Sequence, residues 1–327
     1  MKPAAVLTHL SAFLLLPAAL CAADEPAKKA EPSRERPPAN MELPKGLPVE
    51  LQKKAEEFKK SQAAARELMK QGKYEEAEKV LRTLIDEFTQ FFGPDNALLP
   101  DCRGALGTCL RAQGKVKEAS PEFRAAWQGH VKYSGAENPE TLRMHNALAE
   151  NLHEERRYEE AEKETRAVVE EMTKVYGAEH PATLLNRGNL AAVLSDERKY
   201  AEAENELRDL VKIDERVMGV NQQPTLMARG NLAITLREEG KLEEAEKEFR
   251  GLLELMDKHP GKDHPDTLTF RYHFVLCLIQ ERKLAEAQKE ATEALAEAGK
   301  KLGPDHPNTK ELQRVVTNLQ RVPGLPK

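Results

Sequence analysis

Two markers return along this chain every 42 residues, and few architectures tolerate such a rule. A Glu-Ala step places its alanine at Ala77, Ala119, Ala161, Ala203, Ala245 and Ala287. A closing glycine returns at Gly93, Gly135, Gly177, Gly219, Gly261 and Gly303. Two markers in register over six copies identify an internal repeat, and a repeat decides architecture before local propensity does. The stretch from His180 to Gly219 shows the unit most clearly. It opens with His180-Pro181-Ala182-Thr183-Leu184, runs through Arg187-Gly188-Asn189-Leu190-Ala191, and turns at Lys199-Tyr200.

Each copy reads as two helices. The first starts at Pro139, Pro181, Pro224, Pro265 or Pro307, and proline is favoured at a first helical position because its missing N–H is not needed there. Leu184, Leu190 and Leu194 follow at helical spacing around the small Ala191. The second helix carries Tyr200, Ala203, Leu207, Leu210, Val211 and Val217 on one side. Glutamate precedes arginine by four residues at Glu78/Arg82, Glu162/Arg166, Glu204/Arg208 and Glu246/Arg250. That order adds a few tenths of a kcal/mol per pair and reads as solvated support for the helix. One hairpin cannot bury its apolar stripe alone, so the copies must stack. The expected fold is all-α: an alpha-alpha superhelix, or solenoid, of six hairpins near 51–93, 94–135, 136–177, 178–219, 220–261 and 262–303, with a capping helix in 304–322. Pro100 and Gly104 are expected to disturb the first helix of the second repeat, and Trp127 is expected to pack in the core.

The pattern resembles the tetratricopeptide repeat. Gly107, Ala149, Ala191 and Ala233 match the small residue of its first helix. Gly72-Lys73-Tyr74-Glu75-Glu76-Ala77 matches its Gly-x-Tyr-x-x-Ala turn in full, and Gly240-Lys241-Leu242-Glu243-Glu244-Ala245 matches with one change. The 42-residue length, the His-Pro-x-Thr-Leu opening and the Asn-Leu-Ala core are similar to the kinesin-light-chain type of that repeat, over about Leu51 to Val322. The resemblance implies a non-catalytic scaffold for protein or peptide, with first helices lining a concave groove. Within it, Asn189 and Asn231 match the asparagine that contacts the backbone of bound peptide, and Gly188 and Gly230 replace the asparagine before it. These two asparagines are therefore expected to hold ligand while leaving the fold unaffected. Arg111 and Arg143 give the groove a basic end; Met227, Tyr272 and His273 lie in its later, more apolar part together with Leu185, Ile234, Leu276 and Ile279. Such a groove suits an extended segment with acidic and apolar portions. The alternative for the apolar set is packing between neighbouring first helices. The alternative for the whole chain is a structural assembly factor of a cell-envelope complex, binding through its convex face or its ends.

Residues 1–23 read as a signal peptide, with Lys2, an apolar run through Phe13-Leu14-Leu15-Leu16 and small residues at Ala22-Ala23. Export to the periplasm or the medium is expected. The alternative is a lipid anchor on Cys21, although Leu20 before it is larger than such sites prefer. Residues 24–48 hold Pro26, Pro32, Pro37, Pro38, Pro44 and Pro48 among charges, the composition of a disordered linker. Removing Lys2 takes the formal charge from −5 to −6, which argues against a nucleic-acid partner. Cys102 and Cys109 are seven residues apart on one helix, about 10 Å between Cα atoms and too far for a disulfide. They and Cys277 read as small core residues. His180, His264 and His306 share one repeat position, so stacking separates them beyond the reach of one metal ion. No metal-ligand, nucleophile or phosphate-loop motif is present, so no catalytic residue, metal or cofactor is expected.

Overall fold

The computed structural model describes residues 49–325; the expected signal peptide (1–23), the expected linker (24–48) and Cys21 lie outside the described residues. Among the described residues every regular element is helical. They form two compact units, divided between Ala178 and Glu179. The first holds α1 (Val49–Lys70), α2 (Tyr74–Phe92), α3 (Leu99–Ala112), α4 (Val116–Ser134), α5 (Pro139–Glu154) and α6 (Tyr158–Tyr176). The second holds α7 (Pro181–Asp196), α8 (Tyr200–Val217), α9 (Gln223–Glu239), α10 (Leu242–Met256), a π turn (Asp257–Gly261), α11 (Pro265–Gln280), α12 (Leu284–Lys301) and α13 (Pro307–Leu319). Within each unit every helix packs on the next, and in the second α7, α9, α11 and α13 also touch in succession. None of the described helices is long and apolar enough to cross a membrane.

The repeat markers have separate physical jobs. All six alanines of the Glu-Ala step are 0% exposed, so each is part of the packed interior, where a larger side chain would overpack. The turn inside each hairpin needs one residue with left-handed backbone. Gly72, Gly114 and Gly240 supply it at φ 74°, 76° and 89°, but Arg156, Arg198 and Arg282 supply it at 62°, 64° and 63°. A Cβ in this conformation costs roughly 1 kcal/mol or more. The helix-ending hydrogen bonds hold it in place: the Arg198 N–H donates to the Ser195 carbonyl at 2.9 Å and the Lys199 N–H to the Leu194 carbonyl at 2.8 Å.

At the first-helix starts, the side chains of Asn138, His180, His264 and His306 accept hydrogen bonds from the backbone N–H two residues on. These histidines therefore cap helices, each Nδ1 satisfying an otherwise orphan donor. Pro100 does not break α3: it falls in the first turn, where its missing N–H is harmless. Gly104 leaves room for Met144, whose sulfur would lie 2.5 Å from a Cβ there. Trp127 is half-buried and stacks on the fully buried His145 ring at 4.0 Å; that imidazole lies between Glu171, 2.9 Å from Nδ1, and Glu164, 3.1 Å from Nε2. Cys102, Cys109 and Cys277 are buried free thiols, each pushed up to about 11 by burial.

The glutamate–arginine pairs do more than support their own helix. Lys115, Lys241 and Lys283 each stand immediately before a second helix, a poor place for a cation because the helix dipole is positive there. Each is held by the glutamate of the preceding repeat: Lys115–Glu78 at 2.9 Å, Lys241–Glu204 at 2.6 Å and Lys283–Glu246 at 2.5 Å. The same glutamates bind Arg82, Arg208 and Arg250 within their own helices at 3.0, 2.6 and 2.7 Å. Arg208 and Arg250 reach onward to Glu244 and Glu286, both at 2.6 Å. The Lys115 bond, with Gln113 and Arg82, holds the Glu78 carboxyl down at about 2. At Glu204 burial works the other way, and Lys241 and Arg208 outweigh it to the same value of about 2. The four pairs support their own helices as expected, and at Glu78, Glu204 and Glu246 they also clamp one repeat to the next.

Candidate functional site

In the first unit, the proposed basic end of the groove is already matched by carboxylates. Arg111 on α3 pairs with Glu150 on α5 at 3.0 Å and lies over the Phe123 ring. Arg143 is exposed and holds Glu140, three residues earlier on α5.

In the second unit, Asn189 on α7, Asn231 on α9 and His273 on α11 occupy one repeat position on successive first helices. They are 8%, 6% and 4% exposed, which corrects the expectation that the two asparagines stand open on the surface. Their position one residue before a core leucine set the direction of the side chain but not its burial. The Asn231 Oδ1 and the His273 Nε2 have no hydrogen-bond partner. Arg237 donates from Nη1 to the His273 Nδ1 at 3.2 Å, so the imidazole proton sits on Nε2 and that atom is a donor without an acceptor. Burial, reinforced by Arg237, holds His273 well below the ordinary imidazole range. One orphan acceptor and one orphan donor therefore lie at equivalent positions of adjacent helices.

The apolar members of the set have mostly closed on each other. Met227 and Ile234 are buried in the core, and Tyr272, Leu276 and Ile279 pack half-buried against it. The packing alternative describes them better than an open apolar groove does. The two glycines differ. A Cβ on Gly230 would overlap the Phe270 ring, with Cδ1 alone 2.8 Å away, so the close approach there is internal. A Cβ on Gly188 would meet only Leu210, at an ordinary 3.7 Å.

One opening remains beside Met227. A cavity of about 190 Å³ is lined by Leu226, Met227 and Met256 with Asn221, Gln222, Gln223, His259, Pro260, His264 and Asp266. Pro260 accounts for it. The equivalent residues of the other repeats are Phe92, Ser134, Tyr176, Met218 and Leu302. A proline has no N–H to bond the carbonyl four residues back, and its ring clashes with that carbonyl. Accordingly α10 stops at Met256, the chain passes through the π turn, and no side chain equivalent to Met218 or Leu302 packs beside the first helices. The floor is apolar and the rim offers amides, imidazoles and one carboxylate. Sequence reading listed Met227 but missed the cavity; Pro260 inside a second-helix pattern was the available signal.

Tetratricopeptide repeat profiles match residues 63–126, 140–216 and 225–266, together more than half of the chain. The chain belongs to the tetratricopeptide repeat family. A crystal structure of a putative kinesin light chain of Podosopora anserina with nearly identical TPR-like repeats is similar at 20% identity and a TM-score of 0.55, over 63% of this chain and 98% of that one. The apo form of RapI is similar at 12% identity and a TM-score of 0.57, over 81% of this chain and 98% of that one. A tetratricopeptide repeat protein of Parabacteroides merdae gives 16% identity and 0.56, over 81% and 99%. A search of the curated proteins returns no match. As a tetratricopeptide repeat protein the chain has a fold that typically serves as a scaffold for protein–protein contact and not for catalysis.

Proposed function

We propose that this chain is an exported scaffold that binds a protein segment through its second unit, with one apolar side chain of the partner seated in the cavity beside Met227. The cavity carries the reading: it joins an apolar floor of Leu226, Met227 and Met256 to a rim of Asn221, Gln222 and Gln223 amides. An apolar pocket with a few convergent polar groups is the usual form of an anchor site. The rim amides offer both donors and acceptors to an extended backbone. Asn189, Asn231 and His273 extend the polar register along α7, α9 and α11. No catalytic group or cofactor enters this reading.

The test starts with capture of partners from the native envelope, followed by titration of the partner recovered. Gln223 is exposed at the rim, so a tryptophan there covers the cavity without entering the core. Gln223→Trp should weaken the partner at least tenfold, about 1.4 kcal/mol, at an unchanged melting point. Asn189→Ala with Asn231→Ala should also weaken it if these amides touch the partner backbone. Equal affinity of wild type and Gln223→Trp would remove the cavity from the site. The export arm is separate: mass spectrometry of the mature protein should find a start just after Ala23. An intact Met1 would end that reading, and a lipid-modified Cys21 would replace it with an anchored form.

A further inference from the structure

We propose that Asp101, His130 and Glu140 form a binding site for one divalent transition-metal ion of the zinc type. Among the described residues this is the one place where three such ligand atoms, one from each residue, lie within 4.8 Å of one another. They come from three consecutive helices of the first unit. Asp101 is in the first turn of α3, His130 in the last part of α4, and Glu140 in the first turn of α5.

The anchor is His130. At its repeat position the other copies carry Phe88, Met172, Asp214, Met256 and Ala298, so an imidazole departs from a mainly apolar rule. The residue is 6% exposed. Its Nε2 has no hydrogen-bond partner, although an Asp101 carboxylate oxygen lies 3.3 Å away off the line of an N–H bond. The backbone brings the two residues together through their neighbours in sequence. A Cβ on Gly129 would overlap the Pro100 ring, whose own Cβ would be 3.1 Å away, so only glycine lets α4 lie this close to the start of α3. Asp101 and His130 follow directly from that contact.

The donor set selects the ion. One imidazole with two carboxylates suits zinc and its first-row neighbours, whereas calcium and magnesium prefer all-oxygen shells. Ligand distances of about 2.0–2.2 Å ask the three groups to draw inward, and the two carboxylates can do so because their side chains are 51% and 39% exposed. The same exposure gives the ion an entry path and leaves a coordination position for water. The thiol beside Asp101 does not compete: Cys102 is buried, and Gln62 donates to its sulfur at 3.2 Å. Arg143 does compete, since its guanidinium holds the Glu140 carboxylate, with Nε to Oε2 at 2.9 Å. The ion must share or displace that arginine, so Arg143 sets the affinity.

Calorimetric titration of the full chain with Zn²⁺ alone, with Mg²⁺ as control, tests the site. One equivalent of Zn²⁺ per chain is expected, with no comparable heat from Mg²⁺. Asp101→Asn with Glu140→Gln changes one exposed and one half-buried group, neither in the core, and should weaken Zn²⁺ by roughly tenfold or more. His130→Gln should do the same, and Arg143→Gln should tighten binding several-fold. The cobalt form should show d–d absorption without a thiolate charge-transfer band. Absence of a one-equivalent site overturns the proposal. So does a carboxylate double variant that binds as wild type, or a thiolate band, which would place the ion on a cysteine.

Discussion

Gly188→Ala and Gly230→Ala are expected to change stability in opposite directions, although the two glycines occupy the same position of adjacent repeats. Mid-helix glycine is worth about 1 kcal/mol less than alanine, because it loses more backbone entropy on folding. At Gly188 that gain is free, since the new methyl group meets only Leu210 at 3.7 Å; stabilisation of roughly 0.5–1 kcal/mol should follow. At Gly230 the methyl group falls on the Phe270 ring, which is 0% exposed and cannot swing away without disturbing the core around it. Overpacking of this kind costs about 1–3 kcal/mol and outweighs the propensity gain. Urea melts of the two single variants check this. Equal shifts of the same sign would mean that α9 and α11 are not packed as described.

The second large effect concerns Asp214. It stands on α8 where Phe88, Met172, Met256 and Ala298 stand in other repeats, is 2% exposed, and has an Oδ1 without a partner. Burial pushes its carboxyl up to about 6, and Arg187 offsets this only in part. The direction of the pH effect follows from linkage. In the unfolded chain the group ionises near its ordinary value of 3.8, and in the folded chain only near 6. Between these values the unfolded state sheds its proton first, so stability falls as pH rises through the window and stays reduced above it. Two pH units of separation correspond to about 3 kcal/mol. Asp214→Asn removes the ionisation and keeps the shape. The variant should match wild type near pH 4 and exceed it by roughly 2–3 kcal/mol near pH 7.5, read as the difference between paired denaturation curves. The difference isolates Asp214 from the clamped Glu78 and Glu204, whose depressed values act in the opposite sense at lower pH. A difference independent of pH would show that Asp214 is solvated.

Much of the fold was legible because the repeat has few solutions. An alanine that must be small, a proline that must be first and a glycine that must turn leave marks at fixed intervals, and α5, α7, α9, α11 and α13 start at those prolines or one residue before them. Other features use residue types that carry no such mark. Arg156, Arg198 and Arg282 occupy left-handed turn positions that a reader assigns to glycine. The Glu204–Lys241 contact joins residues 37 apart, outside any helical spacing, and shows only when one repeat is laid on the next. The candidate site was less legible still. Helical geometry points Asn231 sideways from Leu232, but whether that direction is open depends on the side chains of α11. The approach of Asp101 to His130 depends on a proline ring lying against Gly129. Neither relation has a sequence period.

The Glu–Lys clamp has a genetic consequence. Donor and acceptor belong to every hairpin that carries both, so each repeat brings the half it offers forward and the half it offers back. An in-frame duplication or deletion of 42 residues within 200–283 would rejoin a glutamate to a lysine at the same offset, with no second mutation needed. Arrays built this way can change length by recombination and remain folded at every intermediate step, since each repeat depends only on its neighbours. Insertions of any other length would strand a buried glutamate beside the wrong helix end. Selection on length therefore acts in whole repeats.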